Sequence, residues 1–279
     1  TGGLLVARAD GRLNPKIPFA QVLTDNVDSG FYLDLIEASD VTFVPNGKIL
    51  SSYLQLGAKE EKLQASGIPV NPLAAQRLTY SDRRNVIATL GFNENKPIIL
   101  IVSGSAGVGK FDEMLNSILN RASSSFEPQV VIVTARNTKQ LARVEKLIAK
   151  NKTGIAVRAF GSVPPEQMLK LMKVADVIVT KAGGLSTTEI ATVSKPVVLL
   201  DINGGQEGYN VRLFTNGGLS LSTKRFHEVG SLVERIVKDK DLQDSMIAAQ
   251  KDLLATRDVD ALPNWIAANV NKSTSEEQN

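Results

Sequence analysis

From residue 97 onward, uninterrupted apolar runs alternate with helical patterns. The runs cover residues 97–102, 129–134, 177–180 and 196–200, and they are rich in Val, Ile and Leu without alternating polar residues. This pattern is typical of strands buried on both faces of a parallel sheet. Between them, apolar residues recur at helical spacing, with one stripe at Leu141, Val144, Leu147 and Ile148 and another at Met168, Leu171, Met172 and Ala175. Right-handed crossovers then predict an α/β fold with a doubly wound sheet.

The earlier part of the chain shows the same pattern over a shorter length. Residues 17–23 and 41–44 predict two strands, and residues 49–56 predict a helix that ends at Gly57. Two or three strands are too few for a complete sheet. The segment GIPVNP, residues 67–72, breaks the pattern with prolines and predicts a domain boundary.

These patterns predict two domains and a tail. We expect a partial N-terminal Rossmann-like domain over residues 1–72 and a complete one over 73–270. From residue 226 the second domain should be mostly helical, with Pro263 as an interruption. The polar residues 271–279 should form a disordered tail.

Composition narrows the class of protein. The chain has 279 residues and a net charge of +3, an excess too small to indicate nucleic acid as a partner. It has no cysteine, which excludes disulfides and thiolate zinc sites. No apolar run reaches the roughly 20 residues that span a bilayer. The first residue is not Met and no signal peptide is evident, so we expect a piece of a longer cytoplasmic protein, or a plastid one in a eukaryote.

The stretch VSGSAGVGKF, residues 102–111, resembles a phosphate-binding P-loop. Gly104, Gly109 and Lys110 fit that motif, but Phe111 stands where a Ser or Thr hydroxyl would ligate magnesium. The P-loop interpretation is therefore rejected. Lys110 is expected to be a solvated charge at the start of a helix.

A second glycine cluster follows the strand at 177–180. Gly183 and Gly184 turn the chain into a helix whose first amide groups favour a phosphate or diphosphate. Ser186 and Glu189 are candidate ligands there, although S-x-x-E is also a capping box in which both side chains only satisfy the backbone.

The segment GQEGYN, residues 205–210, begins another helix at the carboxyl edge of the predicted sheet. Gln206, Glu207 and Asn210 carry amide and carboxylate groups, which suit sugar hydroxyls. The alternative is a surface turn that leads into a helix.

Residues 181–210 together resemble the donor-binding signature of glycosyltransferase family 28. The resemblance is strongest to monogalactosyldiacylglycerol synthases and bacterial processive diacylglycerol glycosyltransferases, whose pattern is KAG-x-x-T-x-x-E followed by GQE-x-x-N. It extends to VTARN at residues 133–137, to residues 161–163 and to the glycine loop after the strand at 97–102. It implies the glycosyltransferase B fold, with two facing Rossmann-like domains and a UDP-sugar held mainly by the second.

The resemblance also implies roles for individual residues. Gly161 and Val163 would meet uracil through the backbone, Glu189 the ribose, Ser186 and Thr187 with their amides the diphosphate, and Gln206 and Glu207 the hexose. Two departures stand out, because Ser162 replaces the usual aromatic residue and Ala135 the usual glycine. The complete predicted donor set is Gly104, Gly107, Arg136, Gly161, Val163, Lys181, Gly183, Gly184, Ser186, Thr187, Glu189, Gln206, Glu207 and Asn210.

The implied reaction is transfer of a hexose from a UDP-sugar to a lipid acceptor, such as diacylglycerol, at a membrane surface. No metal and no cofactor besides the UDP-sugar co-substrate are expected. Family members open with a glycine-rich loop that contains histidine, whereas the single histidine here is His227, expected to be solvated. Asp25 is the remaining candidate for general base, with a turn or N-cap role as its alternative.

Other functions remain open at this stage. The chain is alternatively a UDP-sugar-binding remnant without turnover, or a subunit whose partner chain supplies the missing half. A UDP-sugar epimerase of the same architecture requires carboxylates and histidines that the first half does not show. Two D-x-D segments at 239–241 and 258–260 are expected to be solvated, as is the basic face formed by Lys139, Arg143, Lys146 and Lys150.

Overall fold

The computed structural model describes residues 2–12, 14, 16–104, 107–202 and 204–276. The described residues form two compact units, one containing those up to Pro69 together with those from Asp252 onward, the other spanning Val70–Lys251. The strands are β1 Ala20–Val22, β2 Val41–Val44, β3 Leu63–Ala65, β4 Ile98–Val102, β5 Gln129–Val133, β6 Val157–Phe160, β7 Val177–Lys181, β8 Val197–Leu200 and β9 Leu221–Thr223. The helices are α1 Gly2–Ala9, α2 Leu33–Ala38, α3 Gly47–Gln55, α4 Tyr80–Leu90, α5 Phe111–Leu119, α6 Thr138–Lys150, α7 Pro165–Val174, α8 Gly184–Val193, α9 Gln206–Asn216, α10 Val229–Lys238, α11 Lys240–Ala255 and α12 Ala261–Glu276.

The second unit is built on a six-stranded parallel sheet in the order β6-β5-β4-β7-β8-β9. Numbered within the unit, this is the order 3-2-1-4-5-6 of a Rossmann fold. The order reverses between β4 and β7, where Ile99 pairs with Val177 and Ile101 with Val179. The four strands predicted from residue 97 onward are confirmed, and so is the doubly wound α/β class.

Helices cover both faces of this sheet. On one face, α5, α6 and α10 contribute Phe111, Met114, Val144 and Val233 to a cluster that includes alternate residues of the four central strands. On the other face, α7 packs against β4. Phe111, which stands at the hydroxyl position of a P-loop, is 0% exposed and belongs to this core.

Lys110 is the N-cap residue of α5. Its exposed ammonium pairs with Glu113 at 2.7 Å. The prediction of a solvated charge at a helix start is therefore confirmed.

The first unit contains a three-stranded parallel sheet in the order β1-β2-β3. Its core includes Ile36, Val44 and Tyr53. The strand predicted over 17–23 is shorter, Ala20–Val22, and Ile17 is 56% exposed, so the apolar run begins outside the sheet. The predicted helix is present as α3, and Asn46 caps it by accepting a hydrogen bond from the Ile49 amide at 3.1 Å.

The C-terminal residues group with the first unit, which differs from the predicted second domain over 73–270. The Asp258 amide donates to the Ala65 carbonyl at 2.7 Å. The Gly47 amide donates to Thr256 Oγ1 at 3.0 Å, and Trp265 meets Phe43 edge to face with 6.2 Å between ring centroids. These contacts account for the grouping of residues 252–276 with the three-stranded sheet.

Helix α12 corrects two further predictions. Pro263 lies in its first turn, where a missing amide hydrogen breaks no helical bond, so it does not interrupt the helix. The helix continues to Glu276 because no Gly or Pro follows Pro263, so residues 271–276 are not the disordered tail that was predicted. Residues 277–279 of that predicted tail lie outside the described residues.

Candidate functional site

The two glycine-rich segments follow the two strands that flank the strand-order reversal. The loop after Val102 leaves β4, and the turn at Ala182-Gly183 leaves β7. In open α/β sheets, ligands bind at this edge. A cleft of about 480 Å³ opens there, entirely within the second unit, and is lined by Asn71, Val102, Gly104, Val133, Ala135, Arg136, Ser162, Val163, Pro165, Met168, Leu169, Met172, Thr180, Ser186, Glu189 and Ile190.

The loop after β4 has glycines where side chains would collide with its neighbours. Gly107 has φ +60°, and a Cβ there would lie 2.0 Å from the Thr134 carbonyl oxygen. The Asn137 side-chain amide donates to the Gly107 carbonyl at 2.9 Å, which fixes the loop to the end of β5. Gly104, also at φ +60°, leaves room for the stem of Lys181, whose Cε would be 2.7 Å from an added Cβ.

Ala135 has φ +51°, in the left-handed region that favours glycine. Alanine stands here where the resembling family usually has glycine, so this position carries backbone strain. Gly161 lies close by, with 3.6 Å between a Cβ built on it and the Ala135 carbonyl oxygen. The departure at Ala135 therefore changes the energy of the turn that precedes the exposed Arg136.

Helix α8 begins beside the cleft with Gly183 as its N-cap and without a side-chain cap. The first amides of such a helix have no intrahelical acceptor and carry a partial positive charge. The hydroxyl of Thr187 does not face the cleft, because it bonds to the main-chain carbonyls of Gly183 at 3.1 Å and Gly184 at 3.0 Å. Ser186 lines the cleft, whereas Thr187 is fully buried.

The position of Glu189 rules out the capping-box alternative. Since Gly183 is the N-cap, Ser186 is the third residue of α8 and Glu189 the sixth, too far along the helix to cap it. Glu189 is half-buried in the cleft wall, and burial raises the pKa of its carboxyl above the ordinary value of 4.5. Glu189 is therefore part of the cleft lining rather than of the helix cap.

A second group of predicted residues lies next to Gly104. Lys181 forms an ion pair with Glu207, the second residue of α9, and their side chains are 19% and 22% exposed. Asn210 is fully buried and donates from Nδ2 to the Ala182 carbonyl at 2.8 Å. Gln206 is exposed at the start of α9. Asn210 therefore holds α9 against the turn, while Lys181 and Glu207 face each other.

The structure brings together only part of the predicted donor set. Gly104, Arg136, Val163, Ser186 and Glu189 line the cleft. Gly183 lies near this group, because Lys181 contacts both Gly104 and Gly183. A Cβ built on Gly183 would lie 3.7 Å from the Lys181 Nζ. The residues that do not line the cleft are Gly107, Gly161, Lys181, Gly183, Gly184, Thr187, Gln206, Glu207 and Asn210.

Sequence reasoning did not assign the cleft floor. Met168 and Met172 of α7 line it, and both belong to the stripe that predicted this helix. Thr180 also lines it, and its fully buried hydroxyl has no hydrogen-bond partner among the described residues. The signal for Thr180 was a polar residue that closes an otherwise apolar run.

The remaining candidates lie elsewhere. Asp25 is half-buried at a bend of the first unit, shortly after β1. Ser29 occupies the N-cap position of the next helical turn, so the N-cap alternative for Asp25 is wrong. His227 is exposed, as predicted. Asp112 and Glu113 of α5 lie beside the basic face of α6, so the surface formed by the two helices carries charges of both signs.

The described residues contain no group of three or more His, Cys, Asp or Glu residues placed to hold a metal. None of the helices seen in this part of the chain combines the length and the apolar character needed to cross a bilayer.

The chain is similar to known glycosyltransferases in sequence and in fold. The family model described as Glycosyl transferases group 1 matches residues 82–253. The processive diacylglycerol β-glucosyltransferase of Bacillus subtilis (strain 168) is 27% identical over 249 residues, covering 88% of this chain and 60% of that relative. The chain thus spans about three fifths of the curated relatives it matches. The resemblance seen in the sequence to processive diacylglycerol glycosyltransferases is confirmed.

Solved structures share the fold. MurG of Acinetobacter baumannii superposes with a TM-score of 0.62 at 19% identity, covering 88% of this chain and 64% of that one. Anabaena HepE in complex with UDP-glucose gives 0.60 at 15% identity, with 98% and 77% covered. MnaA of S. aureus with UDP gives 0.68 at 16% identity, with 96% and 72% covered. The fold is therefore of the glycosyltransferase B type, with one Rossmann-like domain and part of another.

Proposed function

Because the chain belongs to the family described as Glycosyl transferases group 1, we propose that its second unit binds a UDP-sugar for transfer of the hexose to a lipid acceptor such as diacylglycerol. The donor nucleotide enters the cleft at the reversal between β4 and β7. The acceptor class follows from the relative named processive diacylglycerol β-glucosyltransferase.

The observation that carries this proposal is the convergence of three kinds of group at one edge of the sheet. The half-buried Glu189 carboxylate faces the cleft, where it would accept hydrogen bonds from the ribose hydroxyls. The uncapped start of α8 and the ammonium of Lys181 lie next to it, where a diphosphate would be neutralised. The apolar floor at Met168 and Met172 suits the face of a base.

The proposed chemistry is a displacement at the anomeric carbon. The acceptor oxygen forms a bond to that carbon while the bond from carbon to the β-phosphate oxygen breaks, and UDP leaves with the electron pair. The start of α8 and Lys181 stabilise the negative charge that develops on the leaving diphosphate. Asp25 is proposed to take the proton of the acceptor hydroxyl. Inversion at the carbon is part of the proposal.

A second candidate function is UDP-sugar binding without turnover, either as a remnant or as a subunit that needs a partner chain. Both functions require the same donor cleft, but only the first includes transfer of the hexose to an acceptor.

Calorimetry and a transfer assay test the two functions separately. The purified chain is titrated with UDP and with UDP-glucose, and radiolabelled donors are then supplied with extracted lipids. We expect UDP to bind at millimolar or lower concentration and label to enter a lipid. Absence of UDP binding at millimolar ligand would overturn both functions, and binding without labelled lipid would favour the non-catalytic one.

A further inference from the structure

The diphosphate position proposed above is next to an anion that belongs to the protein itself. The Lys181 ammonium pairs with the Glu207 carboxylate, and both side chains are about four-fifths buried. The stem of Lys181 lies in the gap left by Gly104, and its Nζ is close to Gly183 at the start of α8. Glu207 thus supplies a negative charge beside the amides that would receive a phosphate.

The electrostatics explain why this carboxylate is placed there. A lysine ammonium near a helix N-terminus is repelled by the partial positive charge of that helix. Glu207 offsets this repulsion and lies itself in the first turn of α9, where an anion is favoured. A diphosphate would perform the same task with more charge and more acceptor oxygens.

The backbone that carries the pair is held in place. Asn210 ties α9 to the Ala182 carbonyl, and Ala182 directly follows Lys181. An exchange of partners at Lys181 therefore needs only side-chain rotation, which is fast compared with movement of a helix.

We infer that Glu207 is an internal substitute for the donor diphosphate: the phosphates displace it from Lys181, and the released carboxylate then accepts hydrogen bonds from the hexose hydroxyls. This inference rests on the proposed function and assigns an order to the contacts that Glu207 makes during donor binding. Glu207 pairs with Lys181 before the phosphates arrive and contacts the hexose afterwards. Glu207 is therefore a specificity residue that becomes available only when a diphosphate is bound.

The test compares ligands that carry different parts of the donor. Wild type and Glu207→Gln are titrated calorimetrically with inorganic pyrophosphate, UDP, UMP and UDP-glucose. Removing the competing charge should tighten pyrophosphate and UDP binding by about three- to tenfold, the amount expected when a partly buried ion pair no longer has to be broken. UMP, which lacks the β-phosphate, should change less than twofold. The affinity for UDP-glucose should increase less than the affinity for UDP, because the variant also loses the contact between Glu207 and the hexose.

Two further variants isolate the pair. Glu113→Gln removes the carboxylate of the exposed Lys110–Glu113 pair outside the cleft and should leave all four affinities unchanged. In a Lys181→Met background, Glu207→Gln should tighten pyrophosphate binding less than it does in wild type, because no ion pair has to be broken and only direct repulsion between the carboxylate and the phosphates is removed. Circular dichroism of each variant shows beforehand that it is folded before its affinities are compared.

The outcomes separate this inference from the function on which it rests. If wild type does not bind UDP, the proposed function fails. If wild type binds UDP but Glu207→Gln leaves pyrophosphate binding unchanged or weakens it, the exchange is refuted while the donor site stands. Equal losses of UDP and UDP-glucose in Glu207→Gln would show that Glu207 only supports the local structure.

Discussion

The side-chain amide of Asn210 donates a 2.8 Å hydrogen bond to the main-chain carbonyl of Ala182, and so joins helix α9 to the turn that precedes α8. Asn210 is fully buried. Its role in the structure is to hold the Glu207 backbone near Lys181. Within the motif GQE-x-x-N, Asn210 thus fixes the position of the helix start that carries Gln206 and Glu207.

Asn210→Ala should lower both stability and donor affinity. The change leaves the Ala182 carbonyl without its partner in a buried place, which costs about 1–3 kcal/mol of unfolding free energy. UDP affinity should fall severalfold because α9 is no longer held. Urea denaturation and calorimetry measure the two effects. Asn216→Ala, at the exposed end of the same helix, is the control and should change stability by less than about 0.5 kcal/mol. Equal effects of the two substitutions would contradict this role.

Ala135→Gly should stabilise the protein. Ala135 has φ +51°, and glycine removes the steric cost of that conformation. Glycine also increases the conformational entropy of the unfolded chain, which offsets part of this stabilisation. We expect a net increase of roughly 0.5–1 kcal/mol in unfolding free energy. The same substitution at Ala142, exposed within α6, should instead cost about 1 kcal/mol. A loss of stability at both positions would argue against strain at Ala135.

Gly107→Ala should disrupt the loop after β4. The added Cβ would lie 2.0 Å from the Thr134 carbonyl oxygen, and φ +60° is itself unfavourable for alanine. Together these effects should cost roughly 2–4 kcal/mol of unfolding free energy and weaken UDP binding. Gly218→Ala separates the two causes, because Gly218 has φ +72° with open space around it and should cost only about 1–2 kcal/mol. If both variants lost the same amount, the close approach of Gly107 to Thr134 would carry no energy.

Glu189→Gln should make the protein more stable and its donor site weaker. Burial raises the folded-state pKa of Glu189 above 4.5, so the folded state binds more protons than the unfolded state just above pH 4.5. The unfolding free energy therefore falls as pH rises through the raised pKa, because the half-buried carboxyl becomes charged. Glutamine stays neutral and so avoids this cost. The stability advantage of Glu189→Gln should be full near pH 7 and vanish below about pH 4. UDP affinity at pH 7 should fall by about 10- to 100-fold, as expected for loss of charge-assisted hydrogen bonds to the ribose.

The control for this prediction is Glu145→Gln, on the exposed side of α6. It should alter neither the pH dependence of stability nor UDP affinity. Thermal unfolding followed between pH 4 and pH 8 tests the first effect, and calorimetry the second. A Glu189→Gln variant that binds UDP as tightly as wild type would remove Glu189 from the proposed ribose contact.

The central strands were predictable because local sequence decides them. Runs such as IILIV have no polar residue to expose, and only a sheet covered on both faces buries them fully. Strands β6 and β9 were not predicted, because they lie at the two edges of the sheet and are short and partly exposed. Their apolar pattern is correspondingly weak. The grouping of residues 252–276 with the first unit depends on contacts across more than 180 positions, such as that between Gly47 and Thr256, which no local pattern encodes.

The candidate site divides in the same way. The glycines were predictable, because a turn or close approach restricts the residue type at the position itself. The inward orientation of Thr187 and the bond from Asn210 to Ala182 were not, since both depend on which way a side chain points after the helices have packed. The pairing of Lys181 with Glu207 likewise joins residues on different elements.

The packing of Trp265 against Phe43 has a practical consequence for spectroscopy. Trp265 is the only tryptophan in the chain, and both rings belong to the first unit. Its emission should therefore report unfolding of that unit alone, whereas UDP, on the proposed function, should stabilise the other unit. Thermal unfolding followed by tryptophan fluorescence and by differential scanning calorimetry, both with UDP present, would show whether the two units unfold in a single transition.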